Sequence, residues 1–210
     1  EACEFNGSFL KLNPYIGVIL NIDFDHVDWF KTFDNMKKSF LEFANRIDKD
    51  GYLVACYDDE PAREVANKAT CNVVYYGLDN LSLDYTALNM KIDTQGRSSY
   101  DLYVKGKYIC HVNLGAEGKH NALNSLAVIA VLGLLGADLE KACNHLSYVH
   151  GAKRRFDLIG EADGVKVYSD YAHHPTEIAV TLETAKSMEH KKLMLLLKPI
   201  LFQESGCYLM

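Results

Sequence analysis

Short apolar runs rich in β-branched residues alternate with segments of helical periodicity near the start of this chain. The runs are YIGVILNI at 15–22, 52–56 and 72–76, and the helical segments between them are 31–46 and 61–68. Runs that are short and apolar throughout are typical of strands buried on both faces. Because helices separate the strands, we expect the strands to lie parallel in one sheet. The sequence therefore predicts an α/β fold.

The pattern changes after residue 85. Three short segments of alternating polarity, at 87–92, 99–104 and 107–112, are separated by the turn sequences QGRS and KG, which is typical of an antiparallel meander. Two helical segments follow at 121–135 and 138–148. The expected fold is a mostly parallel sheet flanked by helices, with a small antiparallel meander.

A basic segment that contains a glycine, HGAKRR at 150–155, is the candidate linker between domains. After it the pattern predicts two strands, a helix and a further strand, at 156–160, 165–169, 175–187 and 193–197. We therefore predict two domains, which comprise residues 1–153 and 154–210.

Composition excludes several classes of protein. The 210 residues carry a formal net charge of −6, which disfavours general nucleic-acid binding because phosphate backbones select basic surfaces. No apolar run approaches the length of a membrane span, so we expect no membrane partner. The six cysteines include no CxxC pair, which argues against a zinc ribbon and favours a reducing cytoplasm. A start without Met or signal-peptide features indicates a fragment.

The first candidate site is an acidic cluster beside a histidine, directly after the predicted strand 15–22. Its members are Asp23, Asp25, His26 and Asp28, with Glu1 as a further acid. Ligands gather at the carboxyl ends of parallel strands. Carboxylate with imidazole could hold Mg²⁺ beside nucleotide phosphates. The alternative is an acidic helix N-terminus that is favoured by the helix dipole.

The second candidate site is GKHNALNSLA at 118–127. His120, Asn121 and Asn124 fall at the start of a predicted helix, with the two asparagines three residues apart and so on one face. An amide offers a donor and an acceptor together, which suits the edge of an adenine. The alternative is simple N-capping by asparagine.

The third candidate is the pair Arg154 and Arg155 in GAKRRFD, at the expected linker. A guanidinium there could bind a phosphate with two parallel hydrogen bonds. The alternative is a solvated basic loop.

The fourth candidate is YSDYAHHPTE at 168–177, which runs from the end of a predicted strand into a helix. Asp170 is placed to accept hydrogen bonds from ribose hydroxyls. His173 and His174 precede Pro175 at the helix start, where backbone N–H groups attract anions. Two adjacent histidines in extended backbone cannot both face the core.

Taken together, EACEFNGSFLKLNPYIGVILNIDFDHVD, GKHNALNSLAVIA, GAKRRFDLIGE and SDYAHHPTEI resemble the Mur ligase family, from residue 1 to about residue 197. The resemblance implies a central ATP-binding domain followed by the start of a Rossmann-like C-terminal domain. It also implies an ATP- and Mg²⁺-dependent ligase of the bacterial cytoplasm. Its small-molecule substrates would be UDP-N-acetylmuramate and L-alanine, which it would join through an acyl phosphate in peptidoglycan synthesis.

The resemblance also implies roles for single residues. Glu1 and His26 correspond to metal ligands, and the residues that correspond to adenine recognition are His120, Asn121 and Asn124. Arg155 corresponds to an arginine near the phosphates, and Asp170 to the acid that binds ribose. His173 and His174 correspond to groups that line the reaction cleft.

Some features depart from the family pattern. The chain contains no GxxxxGK[ST] phosphate loop, and Ser169 stands where the family usually has an Asp. Phe40 stands where other Mur ligases have a carbamylated lysine, which fits the alanine-adding branch. The alternative function is therefore a non-catalytic nucleotide-binding or structural remnant. After Leu197 the tail departs from the family, and one shifted reading frame of permitted codons would encode AHTFSR, so we expect a frameshift there.

Overall fold

The computed structural model describes residues 2–197, so Glu1 and the tail with the expected frameshift lie outside the described residues. The strands of its main sheet are β1 Ile16–Ile19, β2 Tyr52–Cys56, β3 Asn72–Leu78, β4 Tyr85–Ile92, β5 Arg97–Val104 and β6 Lys107–Glu117. They lie side by side in chain order. Pairing is parallel from β1 to β4 and antiparallel from β4 to β6. The predicted sheet with an antiparallel meander is confirmed.

The helices that accompany this sheet are α1 Val27–Phe30, α2 Phe33–Ala44, α3 Glu60–Ala66, α4 Lys119–Leu134 and α5 Leu139–His145. Three of them begin at side-chain caps, which satisfy backbone N–H groups that a first turn leaves unpaired. Thr32 Oγ1 accepts from the N–H of Asn35 at 3.2 Å, and Asp59 Oδ1 accepts from Ala62 at 2.8 Å. Asp138 caps α5 in the same way.

Strand β2 is buried on both faces of the sheet, which explains why it reads as a continuous apolar run, whereas the meander strand β6 alternates between buried and exposed residues. Val54 of β2 points into one hydrophobic core with Tyr100 and with Leu126 of α4. Its neighbour Leu53 points to the opposite face and joins a second core with Phe43 of α2. Successive side chains of a strand alternate between faces, so one strand contributes to both cores.

The remaining described part is a hairpin and a helix. Strands β7 Asp157–Ala162 and β8 Val165–Ser169 pair antiparallel with each other in a separate two-stranded sheet, and α6 Pro175–Ser187 follows. These elements match the predicted segments closely. The division into domains at residues 153 and 154 stays a prediction. No helix within residues 2–197 is long and apolar enough to cross a membrane.

The strand predicted at 193–197 is wrong. These residues have no regular secondary structure, and Leu196 is 96% exposed. A strand forms only where a neighbour accepts its backbone hydrogen bonds, and 193–197 pair with none of the described strands. The continuous apolar sequence LMLLL is typical of a buried strand, but it has no strand partner among the described residues.

Candidate functional site

The start of α4 holds the second predicted cluster. α4 begins after Gly118 without a side-chain cap, so N-capping does not explain its asparagines. Asn121 Nδ2 donates to the carbonyl oxygen of Glu117 at 2.7 Å, and Asn124 Nδ2 donates to Asn121 Oδ1 at 3.2 Å. Asn121 is thereby held in place by its neighbours. Asn124 keeps its carbonyl oxygen and one N–H unpaired within residues 2–197, and this is the donor–acceptor pair that an adenine edge requires.

His120 lies beside predicted site residues from two other stretches. Burial lowers the pKa of His120, while the Asp170 carboxylate opposes this effect and the Arg155 guanidinium adds to it. Charges act on one another mainly within about 10 Å, so the tertiary structure has brought these three groups together. His120 Nδ1 is buried and has no hydrogen-bond partner in the described part of the chain. Burial therefore favours the neutral form of the imidazole.

Asp170 organises the chain around it. Oδ2 accepts from the N–H of Phe156 at 2.7 Å, and Oδ1 accepts from the N–H of Ala172 at 2.7 Å. Next to it the N–H of Tyr171 donates to the carbonyl oxygen of Arg154 at 2.8 Å, and the Arg154 guanidinium lies 4.6 Å from the centre of the Tyr171 ring. The linker and the segment after β8 are thus held together, with Asp170 at the centre.

Glu177 was missed by sequence reasoning, although it contacts three of the predicted site residues. Its carboxylate accepts from the backbone N–H groups of His173 at 3.1 Å and His174 at 3.4 Å. The Arg155 guanidinium donates to its other oxygen at 3.3 Å. The sequence feature that could have identified Glu177 is its position in the first turn of a helix, from which a carboxylate can reach back to unpaired N–H groups.

The pKa of Glu177 predicts how this cluster responds to acid. Burial acts to raise the pKa of Glu177, but the N–H groups of His173 and His174 and the Arg155 guanidinium outweigh burial, so the pKa lies below its ordinary 4.5. A depressed pKa stabilises the folded state above the unfolded value and loses this effect as pH falls through the folded value. We expect Glu177→Gln to lower the melting temperature at pH 7, and this difference from wild type should shrink as pH falls below 4.5 and vanish once pH has fallen through the lower folded pKa.

The matched control is Glu183→Gln, on the exposed side of α6. Thermal melting of the wild type and both variants between pH 7 and pH 3 gives the comparison. A difference for Glu177→Gln that stays constant through this range, or that equals the one for Glu183→Gln, would contradict the assignment.

The two adjacent histidines have different partners. His174 reaches across to the loop after β1, where Nε2 lies 3.2 Å from the carbonyl oxygen of Phe24 and Nδ1 lies 3.3 Å from Asp23 Oδ2. His173 Nδ1 stays close to its own loop, 3.1 Å from the carbonyl oxygen of Tyr171. The first and fourth predicted clusters therefore meet through His174 and Asp23.

Of the two predicted metal ligands, Glu1 lies outside the described residues, and His26 lies beside an acid that was not predicted. His26 has a left-handed backbone with φ 51°, and its Nε2 lies 3.3 Å from Glu4 Oε1, a carboxylate that sequence reasoning did not select. Asp25 instead accepts from the backbone N–H of His26, and Asp28 lies in the first turn of α1 as the helix-dipole alternative expected. Within residues 2–197 no three such side chains form a metal-binding group.

A small cleft lies beside the linker that contains Arg155. Its volume is about 190 Å³, and its lining includes Glu117 from the end of β6, Arg155 and Phe156 from the linker, and Leu158 from β7. The carbonyl oxygen of Glu117 also anchors Asn121, so the cleft lies next to the start of α4.

Comparisons with known proteins identify the family of this chain. The family profile described as the Mur ligase middle domain matches residues 5–132, and the profile described as the Mur ligase, glutamate ligase domain matches residues 154–201. The chain belongs to the Mur ligase family. The resemblance inferred from its motifs is therefore confirmed.

Curated Mur ligases extend the match over nearly the whole chain. The UDP-N-acetylmuramate--L-alanine ligase of Caldanaerobacter subterraneus subsp. tengcongensis is 46% identical over 199 residues, which cover 95% of this chain and 43% of the relative. The enzyme of the same name from Clostridium kluyveri is 41% identical over 98% of this chain and 44% of the relative. The chain thus spans less than half the length of the curated relatives that it matches.

Solved Mur ligase structures share the fold. UDP-N-acetylmuramate-alanine ligase MurC from Thermotoga maritima superposes with a TM-score of 0.71 at 27% identity, over 86% of this chain and 40% of that one. MurF from Acinetobacter baumannii gives 0.76 at 22% identity, over 87% and 40%. MurF from Thermotoga maritima, solved in complex with ADP, gives 0.70 at 19% identity, over 85% and 41%. These matches confirm the predicted fold class.

Proposed function

We propose that this chain forms the nucleotide-binding part of an ATP-dependent ligase that joins L-alanine to UDP-N-acetylmuramate in the bacterial cytoplasm. The observation that carries the proposal is the 46% identity, over 95% of the chain, to a relative named UDP-N-acetylmuramate--L-alanine ligase. In the proposed reaction a carboxylate oxygen of the muramoyl group attacks the γ-phosphorus of ATP, so that an acyl phosphate forms and ADP leaves. The amine of alanine then attacks the acyl phosphate, so that an amide forms and phosphate leaves.

The geometry supports a nucleotide at the start of α4. We assign the adenine edge to the unpaired amide groups of Asn124, and the neutral ring of His120 would pack beside the base. Asp170 already accepts two backbone N–H groups, but a carboxylate has about four lone-pair sites, so ribose hydroxyls can still bind. Arg155 acts electrostatically on His120, and its guanidinium would stabilise charge on the transferring phosphoryl group.

His173 and His174 would line the cleft in which the substrates react. The contact of His174 with Asp23 and Phe24 would hold the loop after β1 against the helix start, which fixes the distance between the acidic cluster and Arg155. Holding reactive groups at a set distance is itself a large part of catalysis in phosphoryl transfer.

Mg²⁺ fits the described donors only in part. His26 and Glu4 supply one imidazole and one carboxylate 3.3 Å apart, whereas Mg²⁺ prefers six oxygen ligands and keeps several waters. The predicted ligand Glu1 lies outside the described residues. We propose that phosphate oxygens and water would complete the set, and that the ion would neutralise phosphate charge when bound.

The alternative is a nucleotide-binding or structural remnant without turnover. The 210 residues contain no GxxxxGK[ST] phosphate loop, so turnover would need such a loop from outside them. On both readings, the 210-residue chain alone is expected to show no alanine-dependent phosphate release. A chimera separates them: the matched segment replaces its counterpart in the Caldanaerobacter relative, and phosphate release is measured with UDP-N-acetylmuramate, L-alanine and ATP. A folded chimera without release would favour the remnant.

Asn124→Ala tests the adenine assignment directly. Removal of the Asn124 amide, with its unpaired carbonyl oxygen and N–H, should weaken ADP binding by the 210-residue chain roughly two- to tenfold, because a neutral hydrogen bond contributes about 0.5–1.5 kcal/mol. In the chimera it should raise the KM for ATP more than the KM for UDP-N-acetylmuramate, since the lost contact is made mainly in the ground state.

The matched control is Asn144→Ala on the exposed surface of α5, with ADP affinity measured by calorimetry. Equal affinities for the wild type and both variants would contradict the adenine assignment. A loss confined to the muramoyl substrate would contradict it as well.

A further inference from the structure

Helix α6 has a single buried residue. Thr184 is 4% exposed, whereas the other residues of α6 are half-buried or exposed. Its hydroxyl donates to the carbonyl oxygen of Val180 at 3.0 Å, one turn back, so its hydrogen-bonding is satisfied within the helix. Its burial therefore reflects close packing against another part of the chain.

Thr184 packs against Gly118 at the start of the proposed nucleotide motif. A Cβ atom on Gly118 would lie 2.6 Å from Thr184 Oγ1 and 2.5 Å from His120 Cε1, both closer than real Cβ contacts. Gly118 also has φ +91°, a conformation that residues with a Cβ rarely adopt. Only glycine allows α6 and the His120 ring to approach this backbone together.

A second glycine extends the same surface. Gly118 N–H donates to the carbonyl oxygen of Gly96 at 2.8 Å, and Gly96 has φ +83°. A Cβ on Gly96 would lie 3.0 Å from Met188 Cγ, just beyond the end of α6. Beside it, the N–H of Glu189 donates to the carbonyl oxygen of Thr94 at 3.1 Å. The two hydrogen-bonded glycines thus form one surface without side chains, which we name the glycine surface.

The opposite end of α6 is attached as well. His174, directly before the helix, contacts Asp23 and Phe24 after β1. The two ends of α6 therefore contact the part of the chain that forms the main sheet at two places. The first is the loop after β1, and the second is formed by Gly96 before β5 and Gly118 before α4.

We propose that the glycine surface, Gly96 and Gly118, is the docking surface for the C-terminal turn of this chain's own α6, and that Gly118 and Thr184 are positioning residues of the nucleotide site. The docking follows from the contacts alone, whereas the positioning role rests on the proposed function. Because a Cβ on Gly118 would meet both Thr184 and His120, these two side chains flank the same space, and a larger side chain there would displace the imidazole as well as α6. The docked helix in turn sets where His173, His174 and Glu177 lie relative to α4.

The test compares Gly118→Ala with Gly136→Ala in the 210-residue chain without nucleotide. Both glycines have positive φ, but nothing lies within 4 Å of a Cβ on Gly136, so only the Gly118 variant loses close packing. Amide hydrogen exchange over residues 175–187 should accelerate about tenfold or more in Gly118→Ala and stay near wild type in Gly136→Ala. Equal exchange of α6 in the two variants overturns the docking.

A second pair covers the case in which Gly118→Ala does not fold. Thr184→Leu enlarges the helix side of the contact without straining any glycine, and Thr176→Leu makes the same change at an exposed position of α6. Only Thr184→Leu should accelerate exchange of α6. If the two leucine variants exchange alike, the docking is overturned.

ADP affinity then separates the two parts of the proposal. Thr184→Leu should weaken ADP binding, because His120 shares the displaced space, although it touches no nucleotide. Faster exchange of α6 with unchanged ADP affinity would leave the docking standing and overturn the positioning role. A wild-type chain that protects α6 from exchange but binds no ADP would instead count against the proposed function.

Discussion

An Asp170→Ala variant should be both less stable and unable to bind ADP at wild-type affinity. The change leaves the N–H groups of Phe156 and Ala172 without their acceptor, and both bonds are 2.7 Å long in the wild type. Hydrogen bonds to charged groups contribute about 1.5–3 kcal/mol each, and water recovers part of the loss at a half-buried site. We expect a loss of about 2–3 kcal/mol in the free energy of unfolding and at least a roughly tenfold loss of ADP affinity.

Two further variants separate the structural part from the ligand-binding part. Asp170→Asn keeps one oxygen acceptor and should fall between the wild type and Asp170→Ala in both measurements. Glu183→Ala removes an exposed carboxylate of α6 and should change neither. Chemical denaturation gives the free energies of unfolding, and calorimetry gives the ADP affinities. An Asp170→Ala variant that is destabilised yet binds ADP normally would refute the ribose assignment and leave Asp170 a structural residue.

Leu126→Ala should lower the free energy of unfolding by about 2–5 kcal/mol, the range for a Leu→Ala change at a fully buried site. Leu126 is 0% exposed and lies in α4 within the core that contains Tyr76 and Tyr100. The change removes apolar contacts and leaves a cavity that a close-packed interior closes only in part. The loss should appear in denaturant midpoints without a change in slope.

Leu135→Ala is the matched control because it makes the same chemical change at the end of the same helix, where the side chain is 67% exposed. It should cost less than about 1 kcal/mol, as surface substitutions usually do. Similar losses in the two variants would mean that α4 does not present the face that the structure assigns to it. Because Leu126 lies two residues after Asn124, the test also checks the helix orientation that exposes the candidate adenine contact.

Local pattern determined most of the fold. β2 and β8 occupy the predicted residues, as does α6, because short apolar runs, a proline at a helix start and flanking turns act through neighbours in sequence. The candidate site residues were also visible, since paired histidines, amides in a helix turn and adjacent arginines are uncommon in cores. The mostly parallel sheet followed from the alternation of strands and helices.

Tertiary structure decided what the pattern left open. α4 is apolar on nearly every side, so its sequence did not reveal that Leu126 is buried and Val128 exposed. The pattern at 193–197 predicted a strand, but a strand depends on a partner that lies elsewhere in the chain. The end of β1 likewise depends on a distant group. β1 ends at Ile19, although the predicted strand extended to residue 22. The N–H of Ile22 instead donates to Asp59 Oδ1 at 3.3 Å.

The candidate site shows the same division. Its residue types were readable from the sequence, because each motif carries its own chemistry. The neighbours of these residues were not readable, because His174 meets Asp23 across 151 positions of chain and Glu177 meets Arg155 across 22. The glycine surface depends on the same physics, since the reason for Gly118 is the Thr184 side chain that packs against it. Chemistry is a property of single residues, whereas distance between them is set only when the chain has folded.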